Sequence, residues 1–194
     1  MKVKNIEHIT LSNAWANLKR IDFDYKFKNG QWKRLSRETY NRGNGAAILL
    51  FNRQKQTVIL TKQFRMPIYE NSQEESFSIE VCAGAIDNND SALETILREV
   101  REETGYIINT ANLVLSTYTS PGALTEKMYL FVASYDHTNK VNEGGGLLEE
   151  NEELEVLELS FERAIEMVGS GEIRDAKTIL LLQYAQIKRL MHLS

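Results

Sequence analysis

The sequence predicts a mixed α/β fold, on three observations. Two near-continuous apolar runs, residues 45–51 (GAAILLF) and 57–64 (TVILTKQF), read as central strands buried on both faces. A stretch of helical period follows, in which Leu93, Ile96, Leu97 and Val100 recur at i, i+3, i+4 and i+7. Before both lies an alternating aromatic segment with an Asn29-Gly30 turn, the mark of an antiparallel hairpin.

Taken in order, residues 1–42 form an N-terminal β extension. Trp15, Leu18, Ile21, Phe23, Tyr25 and Phe27 suggest a strand that bends early, and residues 32–40 the returning strand. A hairpin alone cannot bury both faces, so this one must pack on the main domain or on a second copy. Residues 43–194 are the main domain. After the two central strands, residues 66–75, polar and containing Pro67, read as a surface loop, and 76–81 as a third strand. Ser91 and Glu94 have the form of a capping box, and Gly105 stands where a left-handed helix stop belongs. Beyond it, 106–119 contains one strand and 128–135 (MYLFVASY) another. A loop spans 139–153 with Gly144-Gly145-Gly146 and an acidic run. A strand at 154–159 and helices at 161–168 and 176 to about 192 complete the chain.

Composition narrows the function classes. A chain of 194 residues suffices for one core plus an extension. The net charge of −4, without a basic run longer than two residues, argues against a nucleic-acid partner. Cys82 is the only cysteine, so no intrachain disulfide forms, and a cytoplasmic location is expected. The first residues lack the apolar centre of a signal peptide, and the longest apolar run, 179–182, is far too short to cross a bilayer, so no membrane partner is expected.

The helix after Ser91 carries the chemistry. Glu99 and Glu103 share an edge four residues apart, with Glu102 beside them. Carboxylates so close repel unless something positive neutralises them, and oxygen-rich sites suit Mg²⁺ or Mn²⁺. A solvated acidic face paired to Arg98 and Arg101 is the competing reading of the same spacing. The wider spacing discriminates. Gly84, five residues, Asp90, seven residues, then Arg98-Glu99-Val100-Arg101-Glu102-Glu103-Thr104-Gly105-Tyr106 resembles the box of the Nudix family, G-x5-E-x7-R-E-U-x-E-E-x-G-U. Asp90 replaces the box Glu, and aromatic Tyr106 replaces an aliphatic residue.

The resemblance implies an α/β/α sandwich with a mixed sheet, and metal-dependent hydrolysis of a nucleoside diphosphate linked to another group. It implies Mg²⁺, with Mn²⁺ as an alternative, held by Glu99, Glu103, the Ala83 carbonyl and a late-loop carboxylate taken as Glu152, with Glu149, Glu150 and Glu153 as competitors. Arg98 orients the carboxylates, and Glu102, Glu126 and Glu152 are the candidates for proton transfer. Gly84 permits close backbone approach. Cys82, between Val81 and Ala83, reads as a small core residue, and the scattered His8, His137 and His192 match no zinc site or triad.

Ser120-Pro121-Gly122, with Pro121 sixteen positions past Gly105, resembles the nucleoside-diphosphate-sugar branch. The segments RETYNRGNGAAILLFN, QFR, CAGAID, SPGALTE and EVLELSFERAIEMVGSGEIRDAKTILLLQY are similar to members acting on GDP-mannose. That similarity implies a nucleotide-sugar substrate and a homodimer whose N-terminal hairpin reaches across to the partner. It implies substrate contacts from Trp15, Ser36, Arg37, Glu38, Arg65, Ala83, Gly84, Ala85, Glu126, Asn151 and Lys177. Hydrolysis of ADP-ribose is the alternative activity; a non-catalytic nucleotide-sugar sensor is the alternative of another class, disfavoured because Glu99, Glu102 and Glu103 are all present.

Overall fold

A computed structural model describes residues 1–73, 76–87, 89–147, 149 and 153–191. The chain forms two compact units: Met1–Asn44 with Tyr118–Lys127, and Gly45–Thr117 with Met128–Ser194.

The first unit is an antiparallel sheet of β1 (Val3–Asn13), β2 (Asn17–Lys26) and β3 (Trp32–Asn41) in that order. The Asn29-Gly30 turn joins β2 to β3 as its sequence predicts, with Gly30 at φ 84° and Lys26 opposite Trp32. β1 is an addition to the expected hairpin. Its side chains are mostly exposed, and register shifts between Lys4 and Glu7 and between Thr10 and Ser12, with Asn5 at φ 50°, break the alternation that marks a strand in sequence. Residues 118–127 join this unit: Tyr40 N–H donates to the Ala123 carbonyl (2.8 Å), and Thr125 N–H to that of Tyr40 (3.1 Å).

The second unit is built on a mixed sheet in the order β10-β5-β4-β9-β8, from β4 (Gly45–Asn52), β5 (Thr57–Phe64), β8 (Asn112–Tyr118), β9 (Lys127–Ser134) and β10 (Leu154–Ser160). β4 runs parallel to β9 and antiparallel to β5. Two short strands, β6 (Phe77–Glu80) and β7 (Cys82–Ala85), pair with β5 and β4. They replace the single third strand expected there, because the intervening Val81 N–H goes to Thr178 Oγ1 (2.8 Å).

The continuous apolar runs are explained by two cores. On one face Ala47 and Leu49 of β4, Val58 and Leu60 of β5 and Leu130 of β9 pack against α3 (Phe161–Ser170) and α4 (Ala176–Ile187). On the other, Ala46, Ile48, Leu50, Ile59 and Phe131 meet Ile96 of α2 (Ala92–Glu99) and Val100 beyond it. This is the α/β/α layering implied by the box. Phe161 is fully buried, and truncating such a residue to Ala costs about 3–5 kcal/mol. β4 is graded along its length: Gly45, Ala46 and Ala47 lie opposite Ala85, Gly84 and Ala83 of β7, whereas Leu50 and Phe51 lie opposite Ile59 and Val58 of β5.

Two further elements differ from their sequence reading. Met66–Asn71 is a short helix, α1, with Pro67 in its first turn, where a missing N–H costs nothing. No residue of α1 is buried, so it shows no apolar period. α4 stops at Ile187 instead of near 192: Arg189 takes φ 52°, and Arg53 Nε donates to the Leu190 carbonyl at 2.9 Å.

Candidate active site

Helix α2 starts as its sequence predicts. Ser91 Oγ accepts from Glu94 N–H, and the Glu94 carboxylate accepts from Ser91 N–H. The helix then widens into a π-helical turn, Val100–Thr104, before Gly105 ends it at φ 74°. This turn was not legible in the spacing, since a single i→i+5 turn leaves the apolar stripe intact. Thr104 Oγ1 donates to the Val100 carbonyl at 2.5 Å. The widening puts Glu99 at the end of the α-helical part and Glu103 within the π turn.

Both carboxylates point inward. Glu103 is 6% exposed and the Glu99 side chain 12%. Glu99 lies against β7, where a Cβ on Gly84 would fall 2.3 Å from its Cδ and Oε1. Arg98 Nη1 sits 3.1 Å from Glu99 Oε1 and 3.2 Å from Glu102 Oε2, holding one inward and one outward carboxylate, with Asp87 at 3.8 Å. Cys82 is buried at the start of β7; burial first, then the charges of Glu103 and Glu99, push its thiol well above the usual range, so its proton stays on.

Next to the acids stands a group that sequence reading missed. Glu80, at the end of β6 and 6% exposed, accepts from Arg65 twice, Nε to Oε1 and Nη2 to Oε2, each at 2.9 Å. Its Oε2 also accepts from Lys177 Nζ at 2.5 Å. Burial pushes its carboxyl up, but Arg65 and Lys177 outweigh this and hold it at about 2. The available signal was a carboxylate on the same inward face as Ser78 in a short alternating strand.

The Gly144-Gly145-Gly146 loop docks on the π turn. Gly145 N–H donates to the Glu103 carbonyl (2.8 Å) and Gly146 N–H to that of Glu102 (3.3 Å). Gly144, at φ 69°, would place a Cβ 2.4 Å from the Glu103 carbonyl oxygen. A cavity of about 780 Å³ opens there, between Arg98, Arg101 and Glu102 on one side and Gly144, Gly146 and Leu147 on the other.

Of the residues singled out in the sequence, Arg65, Ala83, Gly84, Ala85, Arg98, Glu99, Glu102, Glu103 and Lys177 are gathered in the second unit. Trp15, Ser36, Arg37, Glu38 and Glu126 belong to the first. There Trp15 is 78% exposed between β1 and β2, and Ser36, Arg37 and Glu38 lie exposed on β3. Glu126 is 4% exposed; Arg42 approaches its Oε1 at 2.6 Å, and Thr119 Oγ1 donates to its Oε2 at 3.0 Å. Asn151 and Glu152 lie outside the described residues, as does Glu150; Glu149 is exposed. Tyr106 fills the box's aliphatic position by packing edge to face on Tyr135, with ring centroids 5.0 Å apart.

Glu99 and Glu103 supply hard oxygen donors in a partly buried corner where Gly84 omits a side chain. This donor chemistry fits a hard divalent cation. Among the described residues no three His, Cys, Asp or Glu side chains converge on one point, which leaves the rest of a cation's shell to backbone carbonyls, water or substrate oxygens. No helix among the described residues is long and apolar enough to cross a membrane.

Comparison with known proteins agrees with this geometry. A family model described as NUDIX domain matches residues 41–182, and one described as GDP-mannose pyrophosphatase NudK N-terminal domain matches residues 2–40. The chain is 46% identical over 191 residues to the GDP-mannose pyrophosphatase of Cronobacter sakazakii, covering 98% of each. It is 48% identical over 183 residues to that of Pectobacterium atrosepticum, covering 94% of this chain and 93% of the relative. The crystal structure of an ADP compounds hydrolase matches with TM-score 0.69, over 97% of this chain and 96% of that one, at 20% identity, a likeness of fold alone. With an intact Arg98-to-Gly105 core, inward Glu99 and Glu103, and a family model spanning most of its length, the chain belongs to the Nudix hydrolase family.

Proposed function

We propose that the protein hydrolyses the diphosphate bond of GDP-mannose, giving GMP and mannose 1-phosphate. Relatives named GDP-mannose pyrophosphatase, at 44–48% identity over nearly the whole chain, support the substrate. The observation that carries the chemistry is the pressing of Glu99 onto Gly84 beside buried Glu103. Glu99, Glu103 and the Ala83 carbonyl would hold Mg²⁺, with Glu152 as the late-loop donor. A bound Mg²⁺ supplies charge neutralisation of the diphosphate and lowers the pKa of water.

The chain's own residues do the rest. Arg98 fixes the orientation of Glu99 and Glu102. Arg65 and Lys177 meet the substrate's phosphate oxygens, Arg as a planar fork and Lys as a point charge. Trp15, Ser36, Arg37, Glu38, Ala85 and Asn151 contact the nucleotide sugar. Water attacks one phosphorus in line, its proton passes to a carboxylate, and the phosphate of the other half leaves. Glu102, Glu126 and Glu152 are the candidates for that carboxylate; Glu126, whose oxygens also face Arg42 and Thr119, serves as a substrate contact as well. The apolar exposure of Ile6, Leu11, Trp15, Phe27 and Trp32 supports a homodimer formed through the N-terminal sheet, in the reducing cytoplasm that a single free thiol suits.

The deciding experiment is a panel of nucleotide sugars with Mg²⁺, read as released phosphomonoester. GDP-mannose is expected to exceed ADP-ribose in kcat/KM by at least about tenfold, a preference worth about 1.4 kcal/mol. The reverse order overturns the substrate assignment.

A further inference from the structure

We infer that Glu80 is a positioning residue that sets Arg65 and Lys177 as one rigid cationic clamp for the substrate's diphosphate. The inference rests on the reading of those two cations as phosphate contacts.

Three elements meet at this carboxylate. Arg65 directly follows β5, Glu80 ends β6, and Lys177 lies in the first turn of α4. Glu80 gives both oxygens to the cations, a bidentate pair to Arg65 and Oε2 to Lys177. α4 is fastened to the same place a second time, since Val81 N–H donates to Thr178 Oγ1 and that hydroxyl donates to Asp175 Oδ2 at 2.6 Å. Two cations on separate elements are thus tied to one buried acid, and their spacing is set by it.

Lys177 stands against the field of its own helix and is held by its carboxylate partners. It stands in the first turn of a twelve-residue helix, where the N-terminal dipole disfavours positive charge. Its side chain is 13% exposed, and two carboxylates, Glu80 and Asp175 (3.0 Å), pair with it there. Donors remain for a ligand. An ammonium has three N–H bonds, and among the described residues Lys177 uses two. A guanidinium has five, and Arg65 spends the Nε–Nη2 edge on Glu80 while its side chain stays 42% exposed. The clamp lies close in the chain to the acidic helix's contact strand: Glu80 is two residues before Cys82, where β7 begins, and β7 carries Gly84 against Glu99. On the reading of Arg65 and Lys177 as phosphate contacts, these spare N–H groups are the ones a diphosphate would take.

Contacts made to both substrate and transition state lower KM without raising kcat. Glu80→Asp keeps the charge but is too short to span both cations, and Glu80→Gln keeps the length but loses the charge. Both are expected to raise KM for GDP-mannose about tenfold with kcat within about threefold, and to weaken calorimetric binding of inorganic pyrophosphate in parallel. In an Arg65→Ala/Lys177→Ala background, Glu80→Gln should add little to the KM, because Glu80 acts through those two cations. Melting temperatures of both Glu80 variants are taken alongside, and a raised KM in a variant still folded at the assay temperature separates position from folding. A normal KM and normal pyrophosphate affinity in Glu80→Asp, with Arg65→Ala and Lys177→Ala impaired, overturns the positioning role and leaves the phosphate contacts standing. Normal values in Arg65→Ala and Lys177→Ala overturn both. Should GDP-mannose prove not to be a substrate, the pyrophosphate titration still decides the clamp.

Discussion

Gly84 and Glu99 meet so closely that a Cβ on the glycine would lie 2.3 Å from the carboxyl carbon. Strand β7 and the acidic helix therefore touch through a bare backbone. Gly84→Ala must push the Glu99 carboxylate aside. Because a displacement of about 1 Å at a reacting centre can cost about a hundredfold, turnover should fall by about that factor. The strand stays paired with β4, so the melting temperature should move little. Parallel loss of melting temperature and activity would show that the contact is merely structural.

Glu99→Gln and Glu103→Gln each remove one charge at nearly constant size. If they hold a divalent ion, turnover should fall by at least about a hundredfold, equivalent to about 2.7 kcal/mol of barrier. Folding should be spared, because one like-charge repulsion disappears with the carboxylate. EDTA should abolish activity in the parent, and Mg²⁺ should restore it. Full activity in chelator removes the metal from the mechanism.

Glu80 makes a pH prediction. Its carboxyl, ordinarily near 4.5, is held at about 2 in the folded state. A depressed acid stabilises the fold above its unfolded pKa, and that stabilisation is lost as pH falls from about 4.5 through about 2. The shift corresponds to about 3 kcal/mol. Urea denaturation from pH 7 downward should show the parent more stable than Glu80→Gln at neutral pH, with the gap closing across the acid window. A constant gap would mean that Glu80 does not titrate as its ion pairs require.

Cys82 should be inert in the native protein. Burial, then Glu103 and Glu99, keep its proton on, and only the thiolate attacks a disulfide reagent. An aromatic disulfide reagent at pH 8 should release no chromophore from folded protein and one equivalent per chain in denaturant, matching the single cysteine. Rapid native reaction would mean that β7 opens readily.

What could be read in the sequence was set by burial. Strands β4, β5 and β9 were legible because layers cover both of their faces, so Ile48, Leu49 and Leu50 stand side by side. The ends of the acidic helix were legible because caps depend on local chemistry, Ser91 with Glu94 at one end and Gly105 at the other. β1 was not, since an edge strand open to water needs no apolar face. The π turn was not, because Ile96 and Val100 keep their stripe whether the next turn is α or π. Glu80 was hidden for another reason: its partners are 15 and 97 residues away, and only the fold brings them to it.

The gradation of β4 separates two kinds of mutational outcome along a single strand. At the Ile48–Leu50 end, side chains fill both cores, and a substitution there is felt as a change in how much protein survives in the cell. At the Gly45–Ala47 end, little side-chain volume is available to lose, and a Cβ on Gly45 would already lie 2.5 Å from Met128 Sδ of β9 and 3.4 Å from the Gly84 carbonyl of β7. A deep mutational scan that records abundance and turnover separately should therefore divide within these few residues. Variation for new substrates would have to arise at the small-residue end, while the large-residue end sets how many such changes the protein tolerates.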